Sequence, residues 1–455
     1  MSAGIGAELA AMPPLDAGAM RRDVERLAAL GPRFAGTAGE ERGREFVRGA
    51  LAAALSGAVR GEPFEHLAYR PGDSTCQVVG SDLDLPCAGL QSTAAGVIEA
   101  EAIYVGGGDE ETIAALGRRA ERTGAGDRGA AAGGRASAAG AGDGTAGAGD
   151  GAAGAGDVLV DRIAIVRSGV PMTVVPALAA AGAAGIVVIG GAPDGLVNHF
   201  TAAFYPPPLA PPWAGRVLPV PGLTVEAAAG ERLLALMSAG PTRLRLEHRA
   251  AYETATSANV VAEIPGTDPR APRIVVGAHY DTQLESPGAA DNATGVAALL
   301  AIARAWAGLR PRQTIELVAF GVEEPAAWGA SHFVASRGPG SIAAMVNLDA
   351  LGPPLDATRT IIADPRLAGF AAASAEATGW SIEQRLDARD FPYADHAPFV
   401  AVGIPACWIW RHPPPHPYYH SAGDTPRRVD FTRLAEDATA GAFTAFRLSA
   451  PNLPD

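Results

Sequence analysis

Apolar runs alternate with helical periodicity along the C-terminal half of the chain. From Asn259 onward, short stretches rich in Val, Ile, Leu and Ala are separated by segments whose apolar residues recur every three or four positions. That order is typical of buried parallel strands joined by helices. The pattern predicts strands at 274–278, 314–322, 344–348 and 404–410, and a helix at 292–306 with Asp291 placed to cap its N-terminus. We therefore expect an α/β fold in which a mostly parallel mixed sheet lies between helices.

The N-terminal half has a looser pattern. Apolar spacing predicts helices at 23–30, 40–55 and 174–181, and strands at 76–79, 96–105, 162–167, 185–190 and 243–248. Residues 118–157 are almost wholly Gly, Ala, Asp, Arg, Ser and Thr. Such a segment cannot bury enough apolar surface to offset its ordering entropy, so we expect a disordered insertion there.

One segment imitates a membrane span. Residues 168–193 are uncharged and mostly apolar, and they are long enough to cross a bilayer. However, Pro171, Pro176 and Gly182 interrupt the segment, and 185–190 has the pattern of a buried strand that follows an Ala-rich helix. No membrane span is therefore expected.

Composition excludes several classes of protein. The 455 residues carry 36 Arg, no Lys and 49 acidic side chains, for a net charge of −13, which argues against nucleic acid as a partner. Cys76, Cys87 and Cys407 form no CxxC pair, so neither a thiolate zinc site nor a disulfide scaffold is expected. No secretory signal is visible, because the N-terminus lacks a basic segment and Glu8 interrupts its mildly apolar stretch. We expect a cytoplasmic protein.

Candidate metal ligands follow the predicted strands of the C-terminal half, at the edge where parallel sheets build their sites. They are His279 and Asp281 after the first strand, Asp291 at the helix start, Glu323 and Glu324 after the second strand, Asp349 after the third, and His420 after the last. Two His and three or four carboxylates at one sheet edge are what two divalent ions need. Without a cation, these carboxylates would repel one another and lose solvation.

The adjacent Glu323 and Glu324 point to hydrolysis. One carboxylate leaving a strand can bind a metal while its neighbour faces a water molecule, whose pKa the metal lowers toward about 7. The neighbouring carboxylate can then take a proton from the water and pass it to a leaving amine.

Five motifs in this half resemble those of the bacterial co-catalytic di-zinc aminopeptidases, whose wider family includes glutamate carboxypeptidase and the transferrin receptor. They are Gly-Ala-His-Tyr-Asp at 277–281, Ala-Asp-Asn-Ala-Thr-Gly-Val at 290–296, Gly-Val-Glu-Glu at 321–324, Asn-Leu-Asp at 347–349 and Tyr-His-Ser-Ala-Gly-Asp-Thr at 419–425. Ile-Ala-Ile-Val-Arg at 163–167 and Ala-Gly-Ala-Ala-Gly-Ile-Val-Val at 181–188 resemble parts of a protease-associated domain.

The resemblance implies a zinc exopeptidase fold with three regions. Residues 1–92 would be the N-terminal part of the peptidase domain, 93–249 a smaller β-rich protease-associated insertion, and 250–455 the catalytic core. The resemblance to the di-zinc enzymes spans about 255–435.

The resemblance also implies a role for each candidate residue. Asp291 would bridge two Zn²⁺ per chain, with His279 and Asp349 completing one ion. Glu324 and His420 would complete the other. Glu323 would be the general base that takes a proton from a water between the ions, Tyr419 would stabilise the oxyanion, and Asp281 would orient the ligand His279.

We therefore expect a zinc exopeptidase, foremost an aminopeptidase that acts on peptides and is compatible with a homodimer. Three alternatives stay open. One is a glutaminyl-cyclase-like enzyme with a single zinc, and another is a carboxypeptidase or amide hydrolase on the same core. The third is a non-catalytic binding protein, although a residue of the right type stands at all six ligand and base positions.

Overall fold

Two mixed β-sheets organise the chain. The structure, a computed structural model, describes residues 3–83, 85–108, 158–203, 217–338, 340–353, 357–412 and 417–449. The expected disordered segment at 118–157 lies outside these residues.

The first sheet has eight strands among the described residues. Their spatial order is Arg60–Pro71, Ala250–Ile264, Ile315–Phe320, Arg273–His279, Ile342–Asn347, Ala406–His412, Thr358–Ala363 and Gln384–Asp387. The four strands from Ile315–Phe320 to Ala406–His412 are mutually parallel, and antiparallel pairs flank them. The predicted mostly parallel mixed sheet is confirmed.

Helices cover both faces of this sheet, because alternate strand residues point to opposite sides. Val276 and Val346 pack on one face in a core that includes Leu299 of the helix Thr294–Trp306. Val275 and Met345, their neighbours in sequence, pack on the other face with Phe333 and Phe399. The described helices are Ala3–Ala11, Ala17–Ala28, Ala38–Ala54, Val175–Ala180, Ala227–Ala239, Thr294–Trp306, Trp328–Ala335, Pro365–Ala377, Ala397–Ala401 and Phe431–Leu448.

The second sheet is an insertion into the first. Its described strands lie in the order Thr75–Val78, Arg243–His248, Gly96–Tyr104, Arg162–Arg167, Gly185–Ile189, Gly222–Val225 and Cys87–Gly89. Pro71 pairs with Ala250 at the end of an antiparallel ladder in the first sheet, so the chain leaves and re-enters that sheet at one point. The first strand of the insertion therefore begins at Thr75, ahead of the expected boundary at residue 93. The early strands Thr75–Val78 and Cys87–Gly89 are short, and only their long-range partners assign them to this sheet.

The segment 168–193 does not form one helix. It contains the short helix Val175–Ala180 and the fully buried strand Gly185–Ile189. Within the described ranges, no helix is both long enough and apolar enough to span a bilayer.

The prediction that Asp291 caps a helix is wrong. The regular helix starts at Thr294, and its N-cap position is occupied by Ala293 without a side-chain hydrogen bond. Asp291 lies in a preceding irregular turn, Ala289–Ala293, with extended backbone angles. Its carboxylate does not face the helix amides. It lies within hydrogen-bond distance of the His279 and His420 imidazoles.

A buried carboxyl group in the N-terminal half gives a pH-dependent prediction. Glu40 accepts hydrogen bonds from the Gly36 N–H (2.6 Å), from Ser257 Oγ and from the Tyr280 hydroxyl (3.4 Å). Burial, partly opposed by these bonds, raises the pKa of Glu40 from 4.5 to about 7. Between these two values the folded chain holds a proton that the unfolded chain releases, so stability from this group falls as pH rises.

We therefore expect Glu40→Gln to lose less stability than the wild type between pH 4.5 and pH 8, by about 3 kcal/mol. Denaturant unfolding at both pH values measures the difference. The exposed neighbour Glu41 provides the control variant Glu41→Gln, which should follow the wild type. Equal pH slopes for Glu40→Gln and the wild type would contradict the expectation.

Candidate active site

The carboxyl ends of the parallel strands bring the candidate residues together. His279 is the last residue of its strand, Glu323 and Glu324 follow Phe320, and Asp349 follows Asn347. His420 comes from the turn after Ala406–His412. These side chains and Asp281 are buried, whereas Tyr419 is half-buried.

Asp291 lies between the two His side chains. His279 Nε2 is 3.0 Å from Asp291 Oδ1, and His420 Nε2 is 3.2 Å from Asp291 Oδ2. His279 Nε2 is also 3.4 Å from Asp349 Oδ1, while His420 Nε2 is 3.1 Å from Glu324 Oε2. The five residues therefore form two groups that share Asp291.

Each group has the donor set of a metal site. The ligand atoms of His279, Asp291 and Asp349 all lie within 4.8 Å of one another, and so do those of Asp291, Glu324 and His420. Among the described residues, Glu324 Oε1 is buried without a hydrogen-bond partner, and Asp291 Oδ1 is buried beside the His279 imidazole. Buried carboxylate oxygens without partners are costly, and a divalent cation would satisfy them, so the residues present fit a metal.

The pKa values of these residues reflect both their burial and the charges of their neighbours. Burial opposes charge on His420, yet Glu324 and Asp291 raise its pKa to about 9. Burial would raise the pKa of Asp291, but His279 and His420 hold it well below its usual range. A divalent cation among these carboxylates would displace any proton held on the metal-facing nitrogens of His279 and His420.

Glu323 differs from the other carboxylates because it belongs to neither group. Its Oε2 is 3.8 Å from His279 Nε2, and it lines the pocket that opens onto the site. Burial, followed by the charges of Asp395, Asp349 and Glu324 and opposed by His279, raises its pKa well above the usual value. A raised pKa makes the ionised Glu323 carboxylate a stronger base toward a nearby water.

The Asp281 carboxylate binds the backbone N–H groups of Glu323 and Glu324. Its Oδ1 accepts a hydrogen bond from the Glu323 N–H at 2.9 Å, and its Oδ2 accepts one from the Glu324 N–H at 3.2 Å. Asp281 Oδ1 also lies 3.6 Å from His279 Nδ1. One carboxylate thus fixes three of the candidate residues, which is a wider role than the orientation of His279 alone.

Tyr419 lies beside the second group. Its ring stacks on that of His420, with centroids 3.6 Å apart, and it lines the same pocket. Burial and the charges of Asp291 and Glu324 raise the pKa of its hydroxyl well above 10, so the hydroxyl stays protonated and can donate.

The pocket over the site has a volume of about 250 Å³ and an aromatic wall. Phe200, Phe391, Tyr393, Trp408 and Trp410 line it, and the two Trp rings stack with centroids 4.5 Å apart. Its floor carries Asp291, Glu323, Glu324, Asp349 and His420, and none of the described lining residues is an Arg. The pocket therefore joins an apolar wall to an acidic floor.

The segment that carries this site has recognisable relatives. The family model for peptidase family M28 matches residues 259–441. Residues 259–441 belong to peptidase family M28. The expected resemblance is confirmed at the level of the family.

Individual relatives and solved structures are also similar to this chain. The chain is 27% identical over 241 residues to aminopeptidase YwaD of Bacillus subtilis (strain 168), which covers 50% of this chain and 51% of that protein. The chain thus spans about half, or less, of the length of the first curated relatives it matches. The structure is also similar to an aminopeptidase from Aneurinibacillus sp. strain AM-1, with TM-score 0.66, 21% identity and 98% and 97% of the two chains covered. It is similar to BSAP, a zinc aminopeptidase from Bacillus subtilis, with TM-score 0.67, 19% identity and 97% of each chain covered. At these identities, the two structures show the fold.

Asp424 is a further carboxylate that shapes the site, and its role was not predicted from the sequence. Its Oδ1 accepts a hydrogen bond from the Ala290 N–H at 2.9 Å, and its Oδ2 accepts one from the Asp291 N–H at 3.1 Å. Asp424 fixes the backbone of Asp291 as Asp281 fixes that of the Glu pair. Its position four residues after His420, inside a motif already noted, was the available signal.

Asn292 joins two loops of the M28 site and was also missed. Its Nδ2 donates to the Leu348 carbonyl at 2.9 Å, and its Oδ1 accepts from the Gly295 N–H at 2.8 Å. A Cβ on Gly295 would lie 2.0 Å from that same Leu348 oxygen, so only glycine allows the helix to begin against the strand that delivers Asp349.

Arg33 is the third residue that sequence analysis passed over. The guanidinium is fully buried and donates to carbonyls of Tyr280 (2.8 Å), Pro287 (2.7 Å) and Gly288 (3.0 Å). It thereby fixes the loop between His279 and Asp291 from the N-terminal part of the chain. Burial lowers the pKa of Arg33 to about 10 despite the opposing charges of Asp424 and Asp281, so the group remains a cation beside the acidic site.

Proposed function

We propose that this chain is a zinc-dependent aminopeptidase with two Zn²⁺ ions per chain. The observation that carries the proposal is the pair of three-residue groups sharing Asp291, with Glu323 outside both groups and facing the pocket. Relatives named as aminopeptidases, and a similar solved structure described as a zinc aminopeptidase, support it.

The ligands divide between the two ions. His279, Asp291 and Asp349 would hold one ion, and Asp291, Glu324 and His420 would hold the other. Imidazole and carboxylate donors suit zinc, and two such sites that share a carboxylate suit a hydrolase. When bound, the ions would polarise the scissile carbonyl and lower the pKa of the attacking water toward about 7.

Glu323 moves the proton. As the attacking water forms its bond to the carbonyl carbon, the Glu323 carboxylate takes one proton from that water. When the C–N bond breaks, Glu323 gives this proton to the leaving nitrogen, so that the carboxylate is restored. Asp281 keeps Glu323 in place through the backbone N–H bond of 2.9 Å.

Tyr419 stabilises the oxyanion. Its hydroxyl stays protonated beside the carboxylates and lines the pocket, so it can donate a hydrogen bond to the oxygen on which charge develops.

The lining of the pocket favours the amino end of a peptide. Bound zinc would neutralise Asp291, Glu324 and Asp349, so the distinction rests on the other lining residues. A C-terminal carboxylate would need a cation apart from the two ions, and the described lining residues include no Arg, while the chain contains no Lys. The Phe391, Trp408 and Trp410 wall suits a large apolar side chain on the terminal residue.

Aminoacyl-nitroanilides test this proposal. We expect leucyl and phenylalanyl substrates to exceed glutamyl and N-acetyl-leucyl substrates by about 10²-fold or more in kcat/KM, since the last two place a charge on the apolar wall or lack the ammonium group. Activity should disappear with a chelator and return with zinc.

Three results would contradict the proposal. Release of C-terminal residues from N-blocked peptides would identify a carboxypeptidase, and cyclisation of N-terminal glutamine would identify a cyclase-like enzyme. Zinc binding with no turnover of any of these substrates would favour a binding protein.

The insertion is proposed to be a protease-associated domain that shapes the pocket. Gly169, Val170, Met172 and Thr173 of the insertion line the pocket, and Met172 packs against the cluster that contains Phe399 of the core. On this proposal the catalytic core comprises 250–455 and the N-terminal part that precedes the insertion.

A further inference from the structure

The insertion contacts the backbone of two proposed zinc ligands. Residues 198–201, Asn-His-Phe-Thr, follow the strand Gly185–Ile189 of the second sheet and are all buried. The backbone N–H of His199 donates to the carbonyl of His420 at 2.7 Å. Thr201 Oγ1 donates to the carbonyl of Glu324 at 3.0 Å.

Asn198 adds a bond at the residue before His420. Its Nδ2 donates to the carbonyl of Tyr419 at 2.6 Å, and its Oδ1 accepts from the N–H groups of Gly191 and Ala192, both at 2.9 Å. The Asn198 side chain therefore links a turn of the insertion directly to the turn that carries His420.

That turn needs support because His420 has a left-handed backbone. Its φ is 56°, a conformation that a non-glycine residue rarely adopts unless its surroundings enforce it. The bonds from Asn198 and His199 supply two of those restraints, and the Phe200 ring packs 5.8 Å from the His420 ring.

The group of His279, Asp291 and Asp349 is supported by residues of the core, not by the insertion. Trp408 Nε1 donates to the carbonyl of Asp349 at 3.0 Å, and His279 Nδ1 lies 3.3 Å from the carbonyl of Asp281. Asn292 and Asp424 restrain the shared Asp291 segment, again from the core. The two groups therefore differ in their support, since 198–201 contacts Glu324 and His420.

We propose that residues 198–201 position Glu324 and His420 and thereby set the zinc affinity of the group Asp291, Glu324 and His420, separately from that of the other group. This inference rests on the proposed function, because it takes these residues as zinc ligands. It makes Asn198 and Thr201 positioning residues that act through the ligands.

Zinc titration against a competing chelator tests the proposal. The wild type should bind two ions, whereas Thr201→Val and Asn198→Ala should each bind one of them about 10–100-fold more weakly. Thr201→Ser keeps the hydroxyl and should bind like the wild type. The matched control is Thr224→Val, because Thr224 is a buried threonine in a strand of the insertion, and its hydroxyl has no hydrogen-bond partner among the described residues.

Ligand-deficient backgrounds identify the weakened ion. In Asp349→Ala, which keeps the group with Glu324 and His420, adding Thr201→Val should weaken the remaining ion. In Glu324→Ala, which keeps the group with His279 and Asp349, the same addition should change nothing. Asn198→Ala removes a different bond and gives the same test if Thr201→Val fails to fold.

The outcomes separate this inference from the proposed function. Two ions in the wild type, with unchanged affinities in Asn198→Ala and Thr201→Val, would overturn only the positioning role. Equal weakening of both ions would also overturn it, since a general loss of structure would have that effect. Failure of the wild type to bind zinc at either group would overturn the proposed function itself.

Discussion

Glu323→Gln should lower kcat by about 10²–10⁴ while the chain keeps its fold and both zinc ions. Gln preserves the shape of the side chain and can still form hydrogen bonds, but it cannot take a proton from the attacking water. KM should change little, because the lost interaction belongs mainly to the transition state. Steady-state kinetics on leucyl-nitroanilide, with zinc content measured on the same sample, provide the test.

Glu324→Gln is the matched comparison, since it makes the same chemical change one residue later. Glu324 Oε2 lies 3.1 Å from His420 Nε2 within a ligand group, so this variant should bind one zinc ion more weakly and recover activity with excess zinc. Rescue of Glu323→Gln by zinc, or near-normal kcat in that variant, would show that the two roles have been assigned wrongly.

Asp291→Ala should reduce zinc occupancy in both groups, because Asp291 is the residue that the two groups share. Asp349→Ala removes a ligand of one group only and should mainly reduce one ion. Elemental analysis after dialysis at a fixed free-zinc concentration distinguishes about two, one and no ions per chain. Activity should fall in both variants, and excess zinc should restore it more readily in Asp349→Ala.

Equal zinc loss in the two variants would contradict a shared carboxylate. One tightly bound ion in the wild type at saturating zinc would instead favour the cyclase-like alternative, in which a single metal occupies this core.

The central sheet and its site were predictable because their signals are local. Strands such as Arg273–His279 and Ile315–Phe320 are buried on both faces, so they appear in the sequence as unbroken apolar runs. The polar residues that end such runs must meet at one sheet edge, which accounts for His279, Glu323, Glu324 and Asp349.

The outer strands were missed for the opposite reason. In the first half of Ala250–Ile264, half-buried and exposed residues alternate, and in Arg60–Pro71 the buried Phe64, His66, Ala68 and Tyr69 stand among polar residues. Neither stretch therefore has a long apolar run. Their pairing with each other defines them, and that long-range ladder leaves no pattern within either segment.

The contacts that support the site could not be predicted from the sequence either. Arg33 binds backbone carbonyls, and residues 198–201 bind the carbonyls of Glu324, Tyr419 and His420. Every residue carries a carbonyl group, so nothing in the sequence indicates which carbonyl a distant side chain will meet. Only the folded chain brings the insertion beside the second ligand group.

Anomalous difference maps at the zinc edge, from crystals of the zinc-loaded wild type, test the two-zinc assignment without depending on activity. We expect two zinc peaks on either side of Asp291, one among His279, Asp291 and Asp349 and the other among Asp291, Glu324 and His420, with Glu323 bound to neither. A single peak, or a peak coordinated by Glu323 in place of Glu324, would contradict it.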